Sequence, residues 1–244
     1  GVPNLAQGAM TMLAGYVYWA FASWLGLPIY FGLLSGAAVM VVFGLLAERL
    51  LLRRLAGQPM IMIVMLTLGL DILLRGAVPG IFGPTPKSVD LGIPLQPLMV
   101  GEAFINRSYL IGGSIAFILI VLSMLFFRTR LGTKLRAVSD NHVSSWAVGI
   151  SVERAVGLSW ALAGASALAA GVMWGSVQGV EWSLSTLLFP TIAVVILGGL
   201  DSIPGVLVGG VIVGILGSVV PGYVDSIVGG PTRDVVTSLV ILLV

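Results

Sequence analysis

Long apolar runs separated by short polar segments organise this chain. Each run is apolar all round, which is typical of helices surrounded by lipid, whereas the strands of a membrane barrel alternate between apolar and polar residues. We therefore predict an all-α, polytopic helical membrane protein with about eight membrane segments. The predicted helices cover residues 5–25, 29–52, 60–78, 109–127, 155–177, 187–200 and 205–220, and a last one begins near 232.

Glycine and proline interrupt the stretch 187–220. Gly198, Gly199, Pro204 and Gly205 fall between its two apolar runs. The stretch therefore forms either two full spans or a broken or re-entrant pair, since irregular backbone is tolerated at membrane depth only where protein or water covers it.

Composition excludes several classes of function. Only 9% of residues are charged and the mean hydropathy is +1.10, against about 25% charged residues in a soluble domain. The 12 Lys and Arg residues are too few for a nucleic-acid face. The absence of cysteine and the single His142 exclude thiolate and multi-histidine metal sites. Neither Lys87 nor Lys134 lies in a phosphate-binding loop motif, so we expect this chain to bind no cofactor and to hydrolyse no ATP.

Both ends of the chain lie inside or next to apolar runs. Residues 235–244 would form about 15 Å of helix, half of a hydrocarbon core of about 30 Å. We therefore expect the protein to extend beyond both ends.

The distribution of Lys and Arg predicts the orientation. Alternating helices put eight of these residues on one face and four on the other, and the richer face is expected to be cytoplasmic. We predict one transmembrane domain over 1–244, with an extracytoplasmic loop at 82–108 that contains a short hairpin, and a cytoplasmic loop at 128–154. The eight are Arg49, Arg53, Arg54, Arg128, Arg130, Lys134, Arg136 and Arg154, and the four are Arg75, Lys87, Arg107 and Arg233.

The predicted cytoplasmic loop interleaves apolar residues with charge. Asn141 is suited to cap a short amphipathic helix and Gly149 to end it. Such a helix either docks into a groove of a soluble partner or lies on the lipid surface.

This loop carries the clearest resemblance to a known family. The order G-T-K-L-R-A-V-S-D-N followed by A-V-G-I resembles the cytoplasmic loop of permease subunits of ABC importers for branched-chain amino acids, the LivH-like family. Further segments resemble that family along the chain: residues 3–16, with Gln7 where His is usual, 47–57, 66–70, and 195–206, with Asp201 in place of Gly. The loop residues that match the family pattern are Arg136, Ala137, Asn141, Ala147, Gly149 and Ile150.

The resemblance implies a set of partners and a function. The partners would be a second, homologous permease, two cytoplasmic ATPases that bind ATP–Mg, an extracytoplasmic substrate-binding protein and membrane lipid, with no nucleic acid. The implied function is inward transport of branched-chain or hydrophobic amino acids across the bacterial inner membrane by alternating access. Related permeases for urea, short amides or small acids share the loop pattern, and a gradient-driven carrier is a further alternative.

Polar groups inside the apolar runs are candidates for the substrate path. Asp71 and Arg75 have the spacing of an i,i+4 ion pair, which forms either a gate or path lining or a structural pair near the outer interface. The tentative path residues each have a structural alternative, namely helix capping, helix packing or turn geometry. They are Asn4, Gln7, Thr67, Gly69, Gly198 and Gly199.

Small residues recur at four-residue steps in the fifth predicted helix. Such a stripe allows a neighbouring helix to approach closely, so we predict a packing face. It consists of Ala163, Ala167, Gly171, Gly175 and Gly179. Four tryptophans near predicted helix ends are expected to anchor at the membrane interface: Trp19, Trp24, Trp174 and Trp182.

Overall fold

The computed structural model confirms an all-α membrane protein. It describes residues 4–55, 58–94, 96–100, 103–200, 202–228 and 232–243. Five of its helical segments are long and apolar enough to cross a membrane. The elements are α1 Gln7–Trp19, α2 Ile29–Leu50, α3 Met60–Phe82, β1 Leu98–Val100, β2 Ala103–Ile105, α4 Arg107–Phe127, α5 Arg130–Asp140, α6 His142–Ala147, α7 Val152–Gln178, α8 Leu188–Gly198, α9 Ile203–Val228 and α10 Arg233–Leu243.

Three short turns extend this framework. A π-helical turn, Ala20–Trp24, continues α1, and two 3-10 turns cover Leu52–Leu55 and Trp182–Leu187. The strands β1 and β2 pair antiparallel, so the loop between α3 and α4 contains the predicted hairpin.

The chain divides into two compact units. The first comprises Gly1–Ala116 and Phe126–Thr186, and the second comprises Phe117–Leu125 and Leu187–Val244. In the first unit α1 is the central helix, packed against α2, α3 and α7. Its large side chains Met10, Met12, Tyr16 and Tyr18 are fully buried. A helix that is apolar all round can be enclosed in this way without leaving a polar face uncovered.

Glycines bring α7 into backbone contact with its neighbours. A Cβ at Gly164 would overlap the carbonyl of Met40 on α2, and a Cβ at Gly171 would overlap the carbonyl of Thr11 on α1. The predicted small-residue stripe is therefore a packing face at Ala167, Gly171 and Gly175, all buried. Ala163 is only half-buried, and Gly179 lies beyond the end of α7.

Contacts at the two ends of the first unit agree with alternating helices. At one end, Arg53 after α2 forms an ion pair with Glu153 at the start of α7. At the other end, Lys87 after α3 pairs with Val180 after α7 through two backbone hydrogen bonds of 2.9 and 2.8 Å. The two main groups of basic residues thus lie towards the same end of the first unit, as the predicted orientation requires.

The second unit contains a helix that is too short to span. α8 has 11 residues, about 16 Å of helix, whereas α9 has 26 residues, about 39 Å. Ala193, Val213 and Val240 form the buried core of α8, α9 and α10. The broken arrangement is therefore favoured over two full spans in 187–220.

Three elements differ from the sequence prediction. α9 continues to Val228 instead of ending at residue 220, with Pro221 inside the helix. α3 continues to Phe82 instead of ending at Val78, because Pro79 is accommodated inside the helix and Gly83 follows its end. α5 occupies a stretch that we predicted as loop. Thr129 caps it by accepting a hydrogen bond from Gly132 N at 3.2 Å, so this threonine is the sequence signal for the start of α5.

Candidate functional site

The segment between α4 and α7 is a small helical platform. Leu135 and Val138 of α5 are buried against Ala155 of α7. Half-buried side chains complete the cluster, namely Phe126, Phe127, Ile150, Val152 and Leu158. The segment is thus fixed to the membrane helices by an apolar contact, and we call α5, α6 and residues 148–151 the platform.

The short helix α6 begins and ends as the sequence predicted. Asn141 Oδ1 accepts a hydrogen bond from Ser144 N at 3.0 Å. Gly149 has φ +83° and its N–H donates to Trp146 O at 3.0 Å. Glycine is the residue that adopts this conformation without strain. The position of Gly149 therefore determines where α6 ends.

The outer surface of the platform is apolar and basic. Trp146 is 74% exposed and Val148 is 75% exposed. Arg136 is exposed and its guanidinium lies 5.4 Å from the centre of the Phe127 ring. The other residues carried over from the family pattern are placed nearby: Asn141, Ala147 and Gly149 are exposed, Ala137 is half-buried, and Ile150 is half-buried in the apolar cluster.

The predicted ion pair is present in α3. Arg75 Nε lies 2.8 Å from Asp71 Oδ2. This contact is an ion pair by distance, since Arg75 Nε makes no hydrogen bond among the described residues. The second carboxylate oxygen of Asp71, Oδ1, is likewise buried without a hydrogen-bond partner among those residues. Asp71 therefore retains an unused acceptor in the interior of the helix bundle.

The amides at the start of α1 have partners. Asn4 Nδ2 donates to Gln7 Oε1 at 3.1 Å, and Gln7 Nε2 donates to Ala163 O in α7 at 3.1 Å. Gln7 therefore links the start of α1 to the middle of α7.

Thr67 and Gly69 face different surroundings. Thr67 is buried and its hydroxyl donates to Val64 O at 2.9 Å. Gly69 is exposed, and a Cβ built there would meet no atom within 4 Å. The structure thus does not bring these two predicted path residues to one surface.

The predicted glycines of the second unit form a tight turn and crossing. Gly199 has φ +88°, and Gly205 N donates to Ser202 Oγ at 3.0 Å. A Cβ at Gly198 would lie 2.5 Å from the carbonyl of Gly205, so only glycine allows α8 and α9 to cross there. Asp201, in the same motif, lies outside the described residues.

Comparison with known proteins identifies the family. Residues 1–244 match the family described as "Branched-chain amino acid transport system / permease component". The chain belongs to this family. It is also 32% identical over 241 residues to a probable branched-chain amino acid transport permease, LivH, of Methanocaldococcus jannaschii, covering 93% of this chain and 74% of that protein.

Bacterial relatives match over the whole chain. The high-affinity branched-chain amino acid transport system permease LivH of Escherichia coli is 27% identical over 265 residues. The LivH protein of Salmonella typhimurium is 25% identical over 267 residues. Each alignment covers 100% of this chain and 83% of the relative. No solved structure matches the chain significantly.

Family membership confirms the resemblance found in the sequence. The chain is a multi-pass membrane protein and a transport subunit, and as a permease component it works within a transport system that has other components. Among the described residues, no group of three or more His, Cys, Asp or Glu residues is arranged to hold a metal ion.

Proposed function

We propose that this chain is the membrane-spanning permease subunit of an ATP-driven importer of branched-chain or hydrophobic amino acids. Its relatives are named as permeases for these substrates. The chain has no phosphate-binding loop motif, so the proposal assigns ATP–Mg to two separate cytoplasmic ATPase subunits. A second permease and an extracytoplasmic binding protein complete the proposed complex in the bacterial inner membrane.

The platform is the observation that carries this proposal. Trp146 and Val148 present an exposed apolar surface next to basic residues of α5, and aromatic residues are preferred anchors of protein interfaces. The apolar cluster connects α5 to Ala155 near the start of α7. α7 in turn packs against α1 and α2. A partner that moves the platform would therefore move the central helices.

The rigidity of α6 supports this role. A short helix transmits displacement only if its ends are fixed, and here Asn141 caps one end while Gly149 closes the other. We therefore expect an ATPase subunit to bind α6. Substrate is then released to the cytoplasm when the ATPase subunits change their separation.

Truncation of the exposed tryptophan tests the proposal. In the importer reconstituted with its binding protein, Trp146→Ala should reduce substrate-stimulated ATP hydrolysis and uptake about tenfold or more, because an interface anchor is lost. Arg136→Glu should act in the same direction by opposing the basic character of the surface. Membrane insertion should be unchanged, since Trp146 is 74% exposed in the chain itself.

Trp182 provides a matched control. It is also exposed, at 58%, and lies at the end of the first unit opposite to the platform, so Trp182→Ala should leave the ATPase stimulation unchanged. Normal substrate-stimulated ATP hydrolysis by both Trp146→Ala and Arg136→Glu would contradict the assigned role of the platform.

A further inference from the structure

The ion pair of α3 lies at the middle of a membrane-spanning helix. Eleven residues separate Asp71 from Met60 at one end of α3 and from Phe82 at the other, which is about 16 Å of helix in each direction. Because α3 continues to Phe82, about 10 Å of helix follows Arg75 as well. This position does not favour the structural alternative, in which Arg75 extends from a helix end to the outer interface.

Charged groups at this depth need compensation. The Asp71 side chain is 8% exposed and the Arg75 side chain is 30% exposed. They neutralise each other through the 2.8 Å contact between Arg75 Nε and Asp71 Oδ2. Asp71 Oδ1 nevertheless has no donor among the described residues, and an unpaired buried acceptor is costly, most of all when it is charged.

Two polar side chains of the first unit that were predicted to line the path have hydrogen-bond partners of their own. The Thr67 hydroxyl donates to Val64 O, and the Gln7 amide donates to Ala163 O. Leu70, Asp71 and Leu74 form a buried stripe of α3. Asp71 Oδ1 has no partner among the described residues, and neither have the buried hydroxyls of Tyr16 and Tyr18 or Arg107 Nε. Asp71 is the one carboxylate in that group, so its oxygen is the acceptor that a cationic donor would satisfy.

The remaining bonding capacity of the pair matches a zwitterion. Asp71 Oδ1 can accept from an ammonium group. Arg75 contacts Asp71 through Nε, and its two terminal nitrogens carry further N–H donors that suit a carboxylate. Since the pair and a zwitterion are each neutral overall, their association brings no net charge into the membrane.

We propose that Asp71 and Arg75 bind the head group of a zwitterionic α-amino acid during its passage, Asp71 through the ammonium group and Arg75 through the carboxylate. This inference rests on the proposed function and narrows its substrate class. Urea and short amides carry neither charge, so they can form hydrogen bonds with the pair but no contact between opposite charges. The apolar side chain of the amino acid contributes nothing to this contact, which therefore selects for the head group.

Ligand binding by the assembled importer tests the site. The permeases and ATPases are placed in lipid nanodiscs without nucleotide or binding protein, and bound radiolabelled leucine is measured. Leucinamide, which lacks the carboxylate, and 4-methylvalerate, which lacks the ammonium group, serve as competitors. The wild type should prefer leucine to both analogues.

The two single variants should change selectivity in opposite ways. Asp71→Asn should lower the affinity for leucine and for leucinamide about tenfold or more, because the contact with the ammonium group is lost. The affinity for 4-methylvalerate should be nearly unchanged. Arg75→Gln should lower the affinity for leucine and for 4-methylvalerate and leave the affinity for leucinamide nearly unchanged. If the pair is only structural, each variant should lower the affinities for all three ligands equally. That result would overturn the proposal.

Two further variants guard against misfolding and general effects. The double variant Asp71→Asn/Arg75→Gln leaves no uncompensated charge, so it should assemble with its partner subunits as the wild type does, measured by size-exclusion chromatography, but bind leucine about tenfold or more weakly. Glu153→Gln breaks the ion pair with Arg53 and should bind leucine as the wild type does. Wild-type leucine affinity in the double variant would overturn the proposal.

ATP-driven uptake separates this inference from the proposed function. If the wild-type importer with its binding protein transports leucine but the wild-type nanodiscs bind none, the head-group site is wrong and the proposed function stands. If the wild-type importer shows no ATP-driven leucine uptake at all, the proposed function is wrong, and so is the head-group site that rests on it.

Discussion

At the scale of single residues, two glycines of α7 determine how closely that helix approaches its neighbours. At Gly164 and Gly171 the carbonyl groups of α2 and α1 occupy the space that a Cβ would need. Between membrane helices, where water provides no hydrophobic driving force, such close packing is a main source of association. These positions should therefore tolerate no side chain.

The substitution Gly171→Ala should destabilise the protein by about 1–3 kcal/mol, because the methyl group would push α7 away from Thr11. The midpoint of thermal unfolding in detergent measures the effect. Gly113→Ala in α4 is the control, since a Cβ there meets no atom within 4 Å and alanine favours the helix. Equal stability of the two variants would contradict the packing role of Gly171.

The sequence predicted the roles of single residues correctly where a residue type acts on the backbone next to it, as in helix capping. Asn141 caps α6 and Gly149 ends it, because both effects depend on the immediate backbone. The partners of Gln7 could not be predicted, since Ala163 is 156 residues away. The unused oxygen of Asp71 was equally hidden, because the spacing of Asp71 and Arg75 predicts their pairing but not what else surrounds them.

At the scale of elements, apolar runs predicted the long helices well, because lipid requires an unbroken stretch of apolar, hydrogen-bonded backbone. The prediction failed at α5, whose many basic and polar residues looked like a loop although Leu135 and Val138 fall on one buried face. It also ended α3 too early at Pro79, which the helix accommodates. At α5 the overlooked signal was the local Thr129 cap, whereas at Pro79 the helix continues through a residue type that usually ends one.

The cap of α6 allows a prediction for this element. Asn141→Ala removes the acceptor of the Ser144 N–H and should destabilise α6 by about 1 kcal/mol. Amide hydrogen exchange over residues 144–148 should accelerate about fivefold as a result. Ser139→Ala, on the exposed face of α5, should leave that exchange unchanged, and unaltered exchange in Asn141→Ala would show that the cap does not hold α6.

At the scale of the whole molecule, the distribution of charge predicts which ends of the helices face the cytoplasm. The ion pair between Arg53 and Glu153 places the segments after α2 and before α7 at one end of the first unit. Lys87 and Val180 mark its opposite end. The structure thus groups the segments, and an experiment in a membrane must assign the sides.

Cysteine labelling provides that assignment, since the chain contains no cysteine of its own. Ser144→Cys on α6 should react with a membrane-impermeant maleimide only after the cells are opened. Phe104→Cys in the hairpin, where the phenylalanine is exposed, should react in intact cells whose outer barrier has been permeabilised. The reverse pattern would place the platform outside and contradict the proposed function.

The contacts at the two ends of α7 differ in strength. The Arg53–Glu153 pair is partly exposed, at 43% and 57% of its side chains, and such pairs contribute about 0–1 kcal/mol and weaken in salt. The Lys87–Val180 contact consists of two backbone hydrogen bonds, with the Val180 side chain fully buried against Gly15 and Gly175. High ionic strength should therefore weaken the electrostatic contact at the platform end of α7 and leave the backbone contact at its far end intact.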